Sequence, residues 1–448
     1  MFIQSPKIPM LLLLAGLVCT AAPLVAKSLK ETRTEAEQGN ADAQHAMGLR
    51  CAKGNGLPKD EAAAVEWFRK AITKGHVDAQ RQLGMCYLLG TGVPQDAAEA
   101  VKWLRLAAAQ NHVPAMKQLG VCYSLGSSVP KDTVEGVKWF RQAAERGDAD
   151  AQLELGMAYF DGEGVVQDAA EAVKWFRKAA EQGDLNAQKL LGTTYAQGLR
   201  VPLDFGEAVK WFRKAAEKED PEAQLRLGMA YLLGAGVAQD LKQGISLIKK
   251  SAAQKYALAQ LEMGECYMHG AGVPKDPAEA VSWYRKAADQ GDALAQTKLA
   301  VAYFEGIGVA QNSVDAAAWF RKAAEQNFPI AQVGLGSCLL SGNGVPKDEA
   351  QAMKLFRAAA ERGDADGQFA LSLMYEKGEG VDKHPVEALK WCRLASQRGH
   401  DIAFVHQATL EATMTREQVI EAVRLEREWK PAKLEPVKVE PAKAEPER

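Results

Sequence analysis

The sequence lacks a surplus of charge of either sign: 55 lysines and arginines stand against 57 aspartates and glutamates, for a formal net charge of -2. Such a balance sets up no long-range field to draw in phosphate backbones or an anionic membrane surface, so nucleic acid is excluded as the expected partner. The chain also lacks the spacings His-x-x-x-His and Cys-x-x-Cys, and no Gly-Lys-Ser/Thr follows its glycine pairs. A metal centre, a catalytic histidine pair and a phosphate loop are therefore not expected, nor is any cofactor. It does not lack apolar residues: at 47% hydrophobic over 448 residues, it can bury several cores.

Cysteine is present seven times but not in a disulfide pattern. Cys86, Cys122, Cys266 and Cys338 recur at one place of a repeating unit, and Cys51 sits one residue further along. Equivalent residues on stacked helices about 9 Å apart cannot bring their Cα atoms within the roughly 7 Å a disulfide needs. They read as small packing residues. Cys19 stands without the leucine and small residue that a lipidated cysteine requires before it; Gly16 and Val18 occupy those positions.

The N-terminus reads as an export signal over residues 1–26: a cation at Lys7, an apolar run from Met10 to Val18 and a small-residue cleavage site, Leu24-Val25-Ala26. The alternative is a retained membrane anchor over residues 8–26, which carry no charge. The expected location is accordingly periplasmic or secreted, with membrane attachment only if the segment stays uncleaved.

What is abundant is repetition. Ala-Gln recurs at Ala43, Ala79, Ala151, Ala187, Ala223, Ala259, Ala295 and Ala331, and the slot is kept by Ala115, Gly367 and Ala403, always 36 residues apart. In each unit, residues such as Ala151, Leu155 and Tyr159 fall at i, i+4 and i+8, one face of a helix. A glycine stands inside that helix, as at Gly156 and Gly228. It costs about 1 kcal/mol relative to alanine, so a close helix crossing is expected to compensate. A Gly-x-Gly-Val turn follows, then an aspartate placed to cap a second helix, as at Asp60, Asp96 and Asp168. The second helix carries Ala-x-x-Trp-Phe-x-x-Ala-Ala, for example Ala172, Trp175, Phe176, Ala179 and Ala180, and a glycine such as Gly183 closes it. Two short antiparallel helices bury their apolar faces only by stacking on neighbouring units.

The motif A-x-x-x-L-G-x-x-Y-x-x-G-x-G-V-x-x-D-x-x-x-A-x-x-W-F-R-K-A-A-E-x-G, in ten in-phase copies between Ala43 and Gly399, resembles the Sel-one-like repeat family, relatives of the tetratricopeptide repeat. Local departures are Leu247 and Leu355 for the tryptophan, Ala300 and Ser372 for the first-helix glycine, Leu339 for the tyrosine and His384 for the capping aspartate. The expected fold is all-α: a right-handed α/α solenoid of ten 36-residue helical hairpins with terminal capping helices. Residues 27–42 are expected to cap the N-terminus, 43–402 to hold the repeats, 403–430 to cap the C-terminus, and 431–448 to form a disordered Pro/Lys/Glu tail.

The resemblance implies a non-enzymatic scaffold or adaptor of the cell envelope whose first helices line a concave side and bind peptides or proteins of unknown identity. The candidate surface is an i, i+4, i+7 stripe: Leu153, Met157 and Phe160; Leu225, Met229 and Leu232; Val301 and Phe304; Phe369 and Leu373. The same stripe could equally be core. If it is a groove, Phe160 is expected to be exposed near the turn and Leu153 partly buried. The alternative function is a hydrolase acting on β-lactams or peptidoglycan. Ser246-Leu247-Ile248-Lys249 spells Ser-x-x-Lys, yet Ser-Asp-Asn and Lys-Thr-Gly occur nowhere, and Lys249 fills the unit's ordinary basic slot. His76, His112 and His400 share one turn position and are read as turn residues.

Overall fold

The computed structural model describes residues 27–126 and 129–431. The export-signal expectation and the Pro/Lys/Glu segment from residue 432 lie outside these. Every regular element among the described residues is a helix, from Leu29–Glu37 to Arg416–Glu428. The chain divides at Trp211/Phe212 into two compact units, and each is built on the same scheme. A first helix such as Ala149–Asp161 is followed by a second such as Ala169–Glu181. Within either unit, a first helix packs on the second helix of its own repeat and on that of the repeat before. This is the expected α/α solenoid of paired hairpins.

The second helices begin where the aspartates stand. Asp60 accepts from the Ala63 amide at 2.9 Å, and Asp168 accepts from Ala170 and Glu171 at 2.9 and 3.0 Å, satisfying amides that have no partner inside the helix. The first helices are capped as well, by Asp148, Asp184, Asp220 and, with equal register, by the histidines: Nδ1 of His76, His112 and His400 accepts from the Ala79, Ala115 and Ala403 amides.

The glycine inside the first helix has the expected compensation. A Cβ at Gly156 would lie 2.5 Å from the ring of Phe176, the second aromatic of the Trp-Phe pair, and the same holds for Gly120 against Phe140. The phenylalanine is therefore the fully buried member, with Phe176 at 0% exposure, while Trp175 is half-buried and lies under the Lys178 ammonium at 3.8 Å. Where the glycine is replaced, the packing at its partner position changes. Ser372 faces a second helix carrying Cys392 in place of phenylalanine, and its hydroxyl donates to the Ala388 carbonyl at 2.7 Å. With Ala300 in the glycine slot, Phe320 crowds Gly334 of the following repeat instead.

The second turn glycine does more than relax the backbone. Gly92 is left-handed, and a Cβ there would come 2.1 Å from the Glu61 carbonyl oxygen at the start of the preceding second helix. The turns are thus points of close contact between repeats. The glycine that closes the second helix is less necessary: Asn111, Glu219, Lys255 and Asn327 hold the same left-handed position at φ of 61 to 63°.

The N-terminal helix Leu29–Glu37 carries a capping box from Ser28 to Glu31 and packs on Ala41–Lys53. At the other end, Arg416–Glu428 packs on Pro385–Gln397, with Trp429 edge-on to Trp391 at 6.1 Å and the Glu426 carboxylate paired with Arg393. It covers that second helix and leaves the outer side of Asp401–Ala412 open, so Phe404 and Val405 remain 71% and 70% exposed. The six cysteines among the described residues are free, and all but the half-buried Cys86 are buried, as packing residues should be.

Candidate functional site

The stripe on the first helices is not one surface. Leu153 and Phe160 are 6% and 7% exposed and belong to one core cluster with Phe176, Leu191 and Trp211. Leu225 and Leu232, at 5% and 9%, join Ile248 and Met263 in another. The expected exposure of Phe160 is therefore overturned. Its ring packs on Phe176 at 6.2 Å, and Arg200 from the next turn lies over it at 4.9 Å, its guanidinium donating to the Phe160 carbonyl. A residue in the last turn of a helix leans back over the turn before it, and here that direction leads into the packed interior rather than out to solvent. Met157 and Met229 are half-buried at the edge of those clusters, Phe304 is 36% exposed, and Val301, Phe369 and Leu373 are half-buried. Phe369 stacks on His400 at 4.5 Å.

An accessible position recurs on several first helices, one residue beyond Phe160 and its equivalents. It holds Lys53, Leu89 and Asp161 in the first unit and Leu233, His269 and Glu305 in the second, all exposed. Leu233 is 70% exposed. The same helices also carry charge. In the first unit Lys117 donates to Asp150 at 2.5 Å, and beside them burial and the Asp150 charge push the Glu154 carboxyl up to about 7, with Lys117 pulling the other way. In the second, Glu265 accepts from the Tyr284 hydroxyl at 2.7 Å and meets Lys298 at 3.2 Å and His269 at 3.4 Å.

Three features escaped sequence reading, and all concern how repeats are joined. The glutamine of Ala-Gln is a buried connector: Gln152 donates to the Ala144 carbonyl of the preceding second helix at 3.0 Å and accepts from Gln182 of its own at 2.8 Å. The Gln224–Gln254 and Gln260–Gln290 pairs repeat the second link. The basic residue after Trp-Phe is another, since Arg105, Arg141, Arg177 and Arg357 each donate to the tyrosine hydroxyl 18 residues on, at 2.6 to 3.0 Å. The capping histidines are the third: Nε2 of His112, which caps the first helix Val113–Leu125, bonds Asp78 on the preceding first helix at 3.0 Å, which holds the Asp78 carboxyl down at about 2. The signal in the sequence was the recurrence of these polar residues at 36-residue spacing.

Ser246 and Lys249 lie exposed on the second helix Leu241–Ala253. Among the described residues, no three His, Cys, Asp or Glu side chains converge as a metal site, and no helix is long and apolar enough to cross a membrane. The geometry offers repeated hairpins, rigid inter-repeat bonds and a mixed apolar and charged row on the first helices.

That is the architecture of a helical-repeat protein. The sequence model of the Sel1 repeat family matches ten consecutive stretches, residues 41–76, 77–112 and onward to 365–400, and the chain belongs to that family. Comparison with curated proteins returned no match. Among solved structures, the chain is similar to c5321, described as a protective antigen present in uropathogenic Escherichia coli strains displaying an SLR fold. It is 36% identical over 90% of this chain and 94% of that one, with a TM-score of 0.60. It is also similar to a Sel1 repeat protein from Oxalobacter formigenes, 32% identical over 74% of this chain and 94% of that one, with a TM-score of 0.58. Sel1 repeats form a fold that generally mediates protein–protein interaction, and proteins built from them are generally non-enzymatic scaffolds.

Proposed function

We propose that this chain is an exported, non-enzymatic adaptor that binds proteins or peptides along the exposed row of its first helices, in the periplasm or outside the cell. The observation that carries the reading is the same combination within each unit: exposed Leu89 and half-buried Met157 with Asp161 in the first, and exposed Leu233 and half-buried Met229 with His269 and Glu305 in the second. Apolar contact area ringed by charge is the composition of a peptide-binding surface. The buried leucines of the stripe and Phe160 support that surface from beneath.

The experiment is affinity capture from envelope extract with the wild-type chain and with a Leu89→Gln, Leu233→Gln double variant, quantified by mass spectrometry. The adaptor reading expects a defined set of proteins retained by the wild type and depleted on the variant, with the variant's melting curve unchanged. Identical retention by both would remove the row as the binding surface. Incubation with a fluorescent penicillin separates the hydrolase alternative: an adaptor stays unlabelled, and a covalent adduct on Ser246 would reverse the assignment. Mass spectrometry of the native protein tests export, which expects a chain starting after Ala26.

A further inference from the structure

The +36 register exposes one slot that is filled in the middle of the first unit and empty at its start. In repeat 149–184 the space between the first helix and its neighbour is plugged by Phe160, packed on Phe176, and covered by Arg200, whose guanidinium lies over the ring. The residues 108 positions earlier, three repeats back, are Ala52, Phe68 and Gly92. Both the plug and the cover are missing there, and only the aromatic floor is kept. What remains is a pocket of about 250 Å³ walled by Leu49, Ala52, Phe68, Met85 and Leu89, with Cys86 at its side. A dry apolar cavity of roughly 150 Å³ already accepts a benzene-sized ligand. Its rim carries Lys59, held by Glu61 at 2.7 Å, and Lys53, which is exposed and has no carboxylate partner among the described residues.

We propose that this pocket between the first two repeats is an anchor site for an acidic peptide that inserts a phenylalanine side chain against Phe68 and sets a carboxylate beside Lys53. This deepens the adaptor reading and rests on it. The ring supplied by the partner takes the place that Phe160 occupies within the chain itself, so the floor is already shaped for it. A large aromatic side chain in a preformed pocket is the usual centre of a peptide interface. The charge follows from the rim: Lys59 is neutralised by Glu61, whereas Lys53 is left to attract an acidic group.

Cys86 makes occupancy measurable, since it is the half-buried cysteine and the other described ones are buried. Burial pushes its thiol up, so alkylation by iodoacetamide is followed at alkaline pH on the full chain, with the Cys86 peptide quantified by mass spectrometry. The probes are N-acetyl-Asp-Phe-Asp-amide and its alanine counterpart. The phenylalanine probe is expected to slow Cys86 alkylation several-fold and saturably, and the alanine probe to leave it unchanged. Ala52→Phe, which plugs the slot from within, should slow alkylation without probe and abolish the probe's effect. Lys53→Glu should raise the concentration needed for protection several-fold. No protection by the phenylalanine probe, equal protection by the alanine probe, or protection that survives Ala52→Phe would each overturn the assignment. The wild-type comparison of the two probes decides even if a variant fails to fold. Leu89 lines this pocket but Leu233 does not, so failure here leaves capture by a Leu233→Gln single variant as an independent test of the adaptor reading, and the two fall separately.

Discussion

Arg105 donates to the hydroxyl of Tyr123 at 2.8 Å, tying the second helix of one repeat to the first helix of the next. At the joint after Arg321 that bond has no acceptor. Leu339 stands where the tyrosine would accept from Arg321, and Nε and Nη2 of that arginine are buried with no hydrogen-bond partner. An unpaired buried donor costs about 1–3 kcal/mol. Leu339→Tyr should therefore raise the melting temperature, whereas Tyr123→Phe should lower stability by about 1 kcal/mol. Thermal melts of the two variants check both signs, and a Leu339→Tyr chain no more stable than wild type would mean that the joint tolerates its orphaned guanidinium.

Gly156 and Phe176 make the second test. Alanine is the better helix former by about 1 kcal/mol, yet its Cβ would sit 2.5 Å from the ring. Overpacking of this kind costs typically about 1–3 kcal/mol, so Gly156→Ala should destabilise the chain. Adding Phe176→Cys to a Gly156→Ser chain, the pairing found at Ser372 and Cys392, should recover part of the loss. Denaturant titration reads the three variants.

Glu154 sets a pH dependence. Burial raises its folded pKa to about 7 from an ordinary value near 4.5. The folded state holds the extra proton between those two values, so stability falls as pH rises through that window and the loss is complete above it. Glu154→Gln removes the group that must ionise. The variant should match the wild type near pH 4.5 and melt higher at pH 8, by no more than about 3 kcal/mol, since a tenfold change in proton affinity is worth about 1.4 kcal/mol. Melts across that range check it, and a gap that widened toward acid would reverse the sign.

The stripe separates by stability. Phe160→Ala should cost about 3–5 kcal/mol and Leu153→Ala about 2–5 kcal/mol, because each empties a place in the core. Replacing exposed Phe304 by glutamine should stay near the roughly 0.5 kcal/mol typical of surface changes. Hydrogen exchange adds a spatial check: the loss from Phe160→Ala should be confined to repeat 149–184 and its neighbours, since each repeat contacts only the adjacent ones.

Much of this protein was legible in its sequence, because local chemistry repeated ten times leaves few alternatives. The 36-residue phase, the capping aspartates, the turn glycines and the pairing of a small residue with a large aromatic all follow from rules that act within one hairpin, and the family could be named from them. Packing of the cysteines followed from the same register. What lay beyond the sequence was decided between hairpins. An i, i+4, i+7 stripe looks the same whether its side chains meet solvent or the next helix, and only the stacking shows that Leu153 and Phe160 are interior while the row holding Leu89 and Leu233 is accessible. The recurring glutamines and arginines likewise gain their meaning from partners 8, 18 or 30 residues away, a distance no local pattern reports. The slot at Ala52 is the sharpest case: alanine there reads as one more small residue, and it becomes a pocket because the rigid neighbours that hold Phe160 elsewhere do not collapse to fill the space.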